Sequence, residues 1–213
     1  MSPKYNGSFA AASADCRTKP CQAPGCSSLR HGIGKYCVRH AYAQMAWGHP
    51  LATAILRLSI FDPAIAKAEA LLKKNINHPG VSHCVQFFDQ YLKAAAQGST
   101  SVPASDRVGA LASAGVTGLE LLSRTAAVYL ARESYSGLIL SDAHALALVG
   151  HLILRTKQVS GLPQVLGRER KAVGRFVVSA VGTLCVNLST SLREQELLKE
   201  HERNQMAKPL LSL

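Results

Sequence analysis

Aromatic residues make up only 6% of this chain, tryptophan occurs once, and the two-residue alternation of half-buried strands is nearly absent. A sheet sandwich builds its core from bulky strand residues, so these shortages argue against one. Acidic residues are short as well: 13 Asp and Glu face 24 Lys and Arg, for a formal charge of +11 and a pI near 9.6. A balance this basic points to an anionic partner, most often nucleic acid and sometimes an anionic membrane surface. Long apolar runs are missing too. Leu138 to Leu154 is interrupted by Asp142, His144 and His151, and Phe176 to Leu188 is short and contains Gly182 and Asn187. Neither reaches the roughly 20 apolar residues of a membrane span, so a soluble, cytoplasmic chain is expected.

What the sequence does contain suits packed helices. Apolar residues reach 47%, much of it Ala, Val and Leu, in a chain long enough for one ordinary domain and a small module. Residues 1–15, with Gly, Ser and Ala, read as a disordered arm. Residues 16–50 form a cysteine module with turn signals at Pro20, Pro24-Gly25, Gly32 and Gly34. Within it, Val38 to Trp47 lacks breakers and predicts a short helix that begins at Cys37 and is ended by Gly48-His49-Pro50.

Residues 51–213 read as a helical domain, with a possible subdivision near 97–104. Leu51, Ile55, Leu58 and Phe61 share one helical face, and Asp62-Pro63 starts the next helix. Val85, Phe88 and Leu92 mark another over Val81 to Ala96. Asp106 to Arg132 predicts a helix weakened by Gly109, Gly115 and Gly118, small residues that also permit close helix approach. Ser141-Asp142 caps a run from Ala143 to Lys157, and a long segment then reaches Leu188. Ser191-x-x-Glu194 has the capping-box form and predicts a separate last helix from Leu192 to about Ala207.

Six cysteines stand at positions 16, 21, 26, 37, 84 and 185. A secreted disulfide framework would spread them more evenly, and the apolar piece Phe9 to Ala12 is too brief for a signal peptide. Clustered thiols in a reducing compartment read as metal ligands. Cys21, Cys26, Cys37 and His40 follow the spacing C-x4-C-x10-C-x2-H. Pro24-Gly25 brings the first pair to one centre, and Cys37 and His40 share the first turn of a helix whose N-terminus favours the thiolate. Cys16 repeats the spacing before Cys21, so a site built from Cys16, Cys21, Cys37 and His40 stays open. Four ligands leave no position for substrate, which makes the expected site structural.

The segments Cys21-x-x-Pro24-Gly25-Cys26, Gly34-Lys35-Tyr36-Cys37-x-x-His40 and Gly48-x-Pro50 together resemble the small treble-clef zinc fingers of bacteriophage proteins. The resemblance covers about residues 19–51. It implies Cys21, Cys26, Cys37 and His40 as ligands of one structural Zn²⁺ per chain, and a phage or mobile-element origin. Two departures stand out. The family's basic helix is replaced by Ala41 to Trp47, and its Asp before Pro is His49. Some members are fused to HNH nucleases, but the His pair and Asn that would hold a catalytic metal find no counterpart in this sequence.

Arg155, Lys157, Arg168, Arg170, Lys171 and Arg175, opposed only by Glu169, form the densest basic region. Arg168, Lys171 and Arg175 share a helical face that would track phosphates. A second patch joins Arg17, Lys19, Arg30, Lys35 and Arg39 on the cysteine module. His78, His83 and Cys84 lack a fourth ligand and read as helix-end and core residues, as does Cys185. His144 and His151, two turns apart near Asp142, are where an enzyme's polar pocket would gather. No nucleophile elbow, P-loop or dinucleotide fingerprint occurs. The expectation is a mainly α chain, a small N-terminal treble-clef zinc module followed by an all-helical domain. Its expected function is non-enzymatic binding of nucleic acid, DNA ahead of RNA, with no membrane partner. The alternative is a module that binds a host or phage protein.

Overall fold

Helix ends in this chain are written locally. The computed structural model describes residues 18–52, 58–135, 137–159, 162 and 164–206. The expected arm, Cys16 and Arg17 lie outside them. The described helices are α1 (Val38–Trp47), α2 (Asp62–Lys74), α3 (Pro79–Ala96), α4 (Ser105–Ser113), α5 (Gly118–Ser134), α6 (Asp142–Leu154) and α7 (Gly167–Met206), with a 3₁₀ turn at Leu58–Phe61 before α2. Pro63 and Pro79 sit in first turns, where a missing N–H is no loss. Thr117 and Glu120 form a reciprocal capping box at α5, and Ser141 accepts the His144 N–H at α6. His78 caps α3 by accepting the Gly80 N–H at 3.2 Å, which gives this histidine its helix-end role.

Two expected helix boundaries are corrected. Asp106 to Arg132 is two helices, because Gly115 at φ +74° turns the chain between α4 and α5. Gly109 and Gly118 are instead close-approach positions, each facing a backbone oxygen of α3. The capping box at Ser191 does not form, since α7 runs unbroken through it. No Gly or Pro lies between Thr183 and Met206, so nothing forces the break that a cap would need. Of the helix expected over Leu51 to Phe61, only the 3₁₀ turn and the first two residues lie among the described residues.

Helix α6 carries apolar side chains almost all round, and α5 is buried on most of its faces, Ser123 and Thr125 included, as central helices are. Helix α5 packs against α2, α3, α6 and α7, and the longest shared interface joins α6 to α7. Cys84 and Cys185 are buried in this core. Helix α7 contributes Val173, Val177, Val181 and Cys185 to it. Its stretch Gly167–Arg203 is also long and apolar enough to cross a membrane, with a mean hydropathy of 1.5 in its most apolar window. That differs from the expectation, which stopped the apolar run at Leu188 and broke the helix at Ser191. A core helix passes the same test, and 39% of the window is buried against the other helices. Beyond Leu192 the helix is exposed, tied back by ion pairs of Glu196 with Lys67 and of Arg193 with Glu133.

The cysteine module joins this body through α1. Ala46 and Trp47 belong to the body's core, and Gly48 ends the helix at φ +78°. A Cβ on Gly48 would lie 2.6 Å from the Ala143 carbonyl oxygen, so both conformation and space require glycine there. The Trp47 ring meets His144 and His151 edge-on at 6.5 and 5.1 Å. Arg170 lies over its face at 4.0 Å.

Burial pushes His144 down to about 4, with His49 adding to the effect, and pushes His151 down to about 4, helped by Arg170 and Arg155. Both histidines are therefore neutral when folded and titrate near 6.5 when unfolded. The unfolded state binds more protons between those values, so stability is full above about pH 6.5 and falls as pH approaches 4. The loss is up to about 3 kcal/mol per histidine. Thermal midpoints measured across this range should fall less steeply in His151→Gln than in wild type. An unchanged slope would remove His151 as a cause.

Candidate metal centre

The cysteine module is stitched by backbone bonds, because a segment this small has few side chains to bury. Cys21 N–H donates to Ser28 O at 2.9 Å, Arg30 N–H to Lys19 O at 3.0 Å, and Gln22 N–H to Lys35 O at 3.0 Å. Pro20 and Leu29 form an isolated bridge, and no strand occurs among the described residues. Gly25 at φ +72° makes the turn that returns Cys26 toward Cys21. Cys37 is the residue before α1 and its carbonyl accepts the Ala41 N–H at 2.8 Å, so His40 falls on the first turn of that helix.

These elements bring Cys21, Cys26, Cys37 and His40 together, with all four ligand atoms within 4.8 Å of one another. Cys26 Sγ lies 3.9 Å from Cys37 Sγ, and His40 Nδ1 lies 3.4 and 3.3 Å from the sulfurs of Cys21 and Cys37. A tetrahedral ion with ordinary Zn–S and Zn–N lengths sets S···S at about 3.8 Å and S···N at about 3.5 Å. The donor set therefore fits one metal ion, through three sulfurs and a δ nitrogen.

Electrostatics favour ligation. Burial alone would raise the Cys21 thiol, but its sulfur accepts the N–H of Cys37 at 3.3 Å and of Ala23 at 3.5 Å, and His40 and Cys26 add further bonds. The net result brings Cys21 down to about 6, so it is largely thiolate at neutral pH. At Cys37 the His40 amide favours the thiolate, yet burial and the neighbouring sulfurs of Cys21 and Cys26 outweigh it and raise the thiol. Without a cation, the Cys21 thiolate stands among crowded sulfurs. A cation removes that repulsion.

The basic candidates are scattered more than the sequence suggests. Lys35, Arg39, Arg155, Lys157, Arg168 and Arg175 are exposed and Lys171 is half-buried. Arg30 is turned inward on the module, its Nε donating to Pro20 O at 2.9 Å. Lys157 Nζ donates to Ala114 O at 2.7 Å. Arg170 is the correction. It is only 8% exposed and stacked on Trp47, so it cannot track an external phosphate backbone as the expected surface contact. Asp142 pairs with Arg132 at 2.6 Å instead of joining His144 and His151.

Sequence reasoning missed the Trp47–Arg170 stack. The signal available was a single tryptophan, in a chain poor in aromatics, placed just before a helix-ending glycine. Comparison with protein-family models, with curated proteins and with solved structures finds no match to this chain, so the treble-clef likeness rests on the motif residues alone.

Proposed function

We propose that this chain is a non-enzymatic nucleic-acid-binding protein, phage- or mobile-element-encoded, whose N-terminal treble clef is held by one structural Zn²⁺. Thiolate-rich tetrahedral donor sets select zinc among the common divalent ions, and the four ligands leave no position for chemistry. The preferred nucleic acid is DNA, bound in a reducing compartment that keeps the thiols free.

The observation that carries this reading is a cleft of about 550 Å³ between module and body. Tyr42 and Met45 of α1 form one wall, and Arg168 and Lys171 of α7 the other. Basic side chains beside an exposed aromatic ring are the elements that hold a phosphate backbone and stack a base. Arg175 extends the basic face one turn further along α7.

Titration with single- and double-stranded DNA at two salt concentrations tests the reading. Affinity should fall steeply with salt, and Arg168→Gln/Lys171→Gln/Arg175→Gln should flatten the logarithmic salt slope by about 2–3. Binding that is absent or indifferent to salt would refute it. A second reading draws on the exposed apolar residues Leu29, Ile33, Val38, Tyr42 and Met45, which would suit a protein partner. A defined partner that stays bound after nuclease treatment would favour that reading.

A further inference from the structure

A second cleft, of about 380 Å³, opens where the C-terminal end of α6 faces the start of α7. Arg107, Arg155, Lys157 and Arg170 line it, with His151 and Gln164, and no Asp or Glu is among its lining residues. Arg155, Lys157 and Arg170 set three cations around one small volume, and water inside a cleft screens them less well than bulk solvent. Two buried polar atoms sharpen the case. Arg170 is 8% exposed and its Nε has no hydrogen-bond partner among the described residues. His151 is 6% exposed, and its Nδ1 is likewise unpartnered. A buried guanidinium normally has a carboxylate. This one has the Trp47 face at 4.0 Å on one side and feels the Glu169 carboxylate, which accepts the Leu166 N–H, only as a nearby charge. An unsatisfied buried charged donor is costly unless something supplies the acceptor.

We propose that this cleft is a phosphate-binding site, taking a phosphate or diphosphate group with Arg170 and His151 at its base and Arg155 and Lys157 at its rim. The number of cations selects the ligand. A carboxylate would offset only one of the charges of Arg155, Lys157 and Arg170, whereas a phosphate or diphosphate carries two or more and enough oxygens for several donors. Lys157 is already fixed by Ala114 O, and Arg170 by its stack on Trp47, so both charges are placed before ligand arrives. Burial of Arg170 rules out the internal phosphates of a duplex, whose rigid backbone cannot enter. The group therefore comes from a free phosphorylated small molecule or from the 5′-phosphate end of a single strand. The inference does not depend on the nucleic-acid reading above.

Isothermal titration of the full-length protein with inorganic pyrophosphate and phosphate, at matched low ionic strength, tests it. Trp47, the single tryptophan, is an internal fluorescence reporter. One saturable site is expected, tighter for pyrophosphate, with a fluorescence change. Arg155→Gln, an exposed rim substitution that leaves the core intact, should weaken binding about tenfold or more, as should Arg170→Gln. Lys199→Gln removes the same charge roughly 44 Å further along α7 and should leave the affinity unchanged. Absence of saturable binding would overturn the proposal, and so would equal weakening by Lys199→Gln and Arg155→Gln. Competition then separates the sources. Displacement of pyrophosphate by a 5′-phosphorylated oligonucleotide but not its 5′-hydroxyl counterpart supports the site with a strand end as ligand. Displacement by neither supports it with a free phosphate compound. Equal displacement by both would sink the discrete site in favour of general attraction to backbone charge.

Discussion

Cys37→Ser is expected to abolish metal binding, taking a bound-metal content near one ion per chain to none, and to unfold the module while leaving the helical body in place. The module's own apolar core is Cys21, Ala23 and Cys37, with Cys26 and Tyr36 packed against it. That is too little to offset the order of 1–2 kcal/mol per residue that ordering a backbone costs. A structural metal bound with about 10–16 kcal/mol would replace the missing core, drawing on all four donors. Serine at 37 also removes the sulfur that lies beside both Cys26 and His40. The second half of α1 should persist, because Ala46 and Trp47 are seated in the body. Elemental analysis should therefore read near zero while far-ultraviolet dichroism keeps most of its helical amplitude. Hydrogen exchange should accelerate across residues 20–37 and stay slow in α5 and α6. A chelator should reproduce this in the wild type, and acid should too, since protons compete for the sulfurs. Full metal retention in Cys37→Ser would refute the assigned ligand set. Collapse of the whole helical signal would show that the module is not energetically separable from the body.

The centre was legible because its signals are local. Ligand spacing, the Pro24-Gly25 turn and a helix starting after Cys37 all act within about twenty residues, and short-range geometry follows directly from such patterns. Cys16 stays outside the described residues, while the three sulfurs and His40 that do converge need no fifth donor. The caps at Ser141 and the stop at Gly48 were legible for the same reason. Ser191 was misread because a capping box is equally compatible with a helix interior when nothing upstream breaks the chain. The clefts were not legible at all. They depend on α1, α4, α6 and α7 meeting, and Trp47 and Arg170 are separated by more than half the chain. Reading Arg155 to Arg175 as one basic surface treated side chains as solvated by default. Packing of α1 against α7 buries one of them and leaves Arg168 and Arg155 lining different clefts.

Gly150→Ala and Gly174→Ala should each destabilise the fold by about 3 kcal/mol, at the upper end of overpacking costs, because both lie where α6 and α7 touch backbone to backbone. A Cβ on Gly150 would stand 1.9 Å from the Arg170 carbonyl oxygen, and one on Gly174 would stand 1.9 Å from the Leu146 oxygen. Real contacts of this kind need well over 3 Å, and neither obstacle is a flexible side chain that can swing aside. The oxygens belong to helical turns, so relief requires the two helices to separate as bodies. Each glycine faces the carbonyl that begins the turn ending at the other, which makes the contact reciprocal. The double variant should therefore cost less than the sum of the singles, since one separation relieves both clashes. Gly182→Ala is the control on the same helix. Its Cβ would meet side chains and no backbone, Val178 at 2.9 Å and the Tyr129 hydroxyl at an ordinary 3.7 Å, and alanine has the better helix propensity. That variant should stay within about 1 kcal/mol of wild type. Urea unfolding of the four variants and the wild type reads these differences directly. A parting of α6 from α7 also moves Arg170 relative to Trp47, so Gly150→Ala should change tryptophan emission before the unfolding transition begins. Wild-type-like stability in Gly150→Ala would refute the backbone-to-backbone contact of α6 with α7.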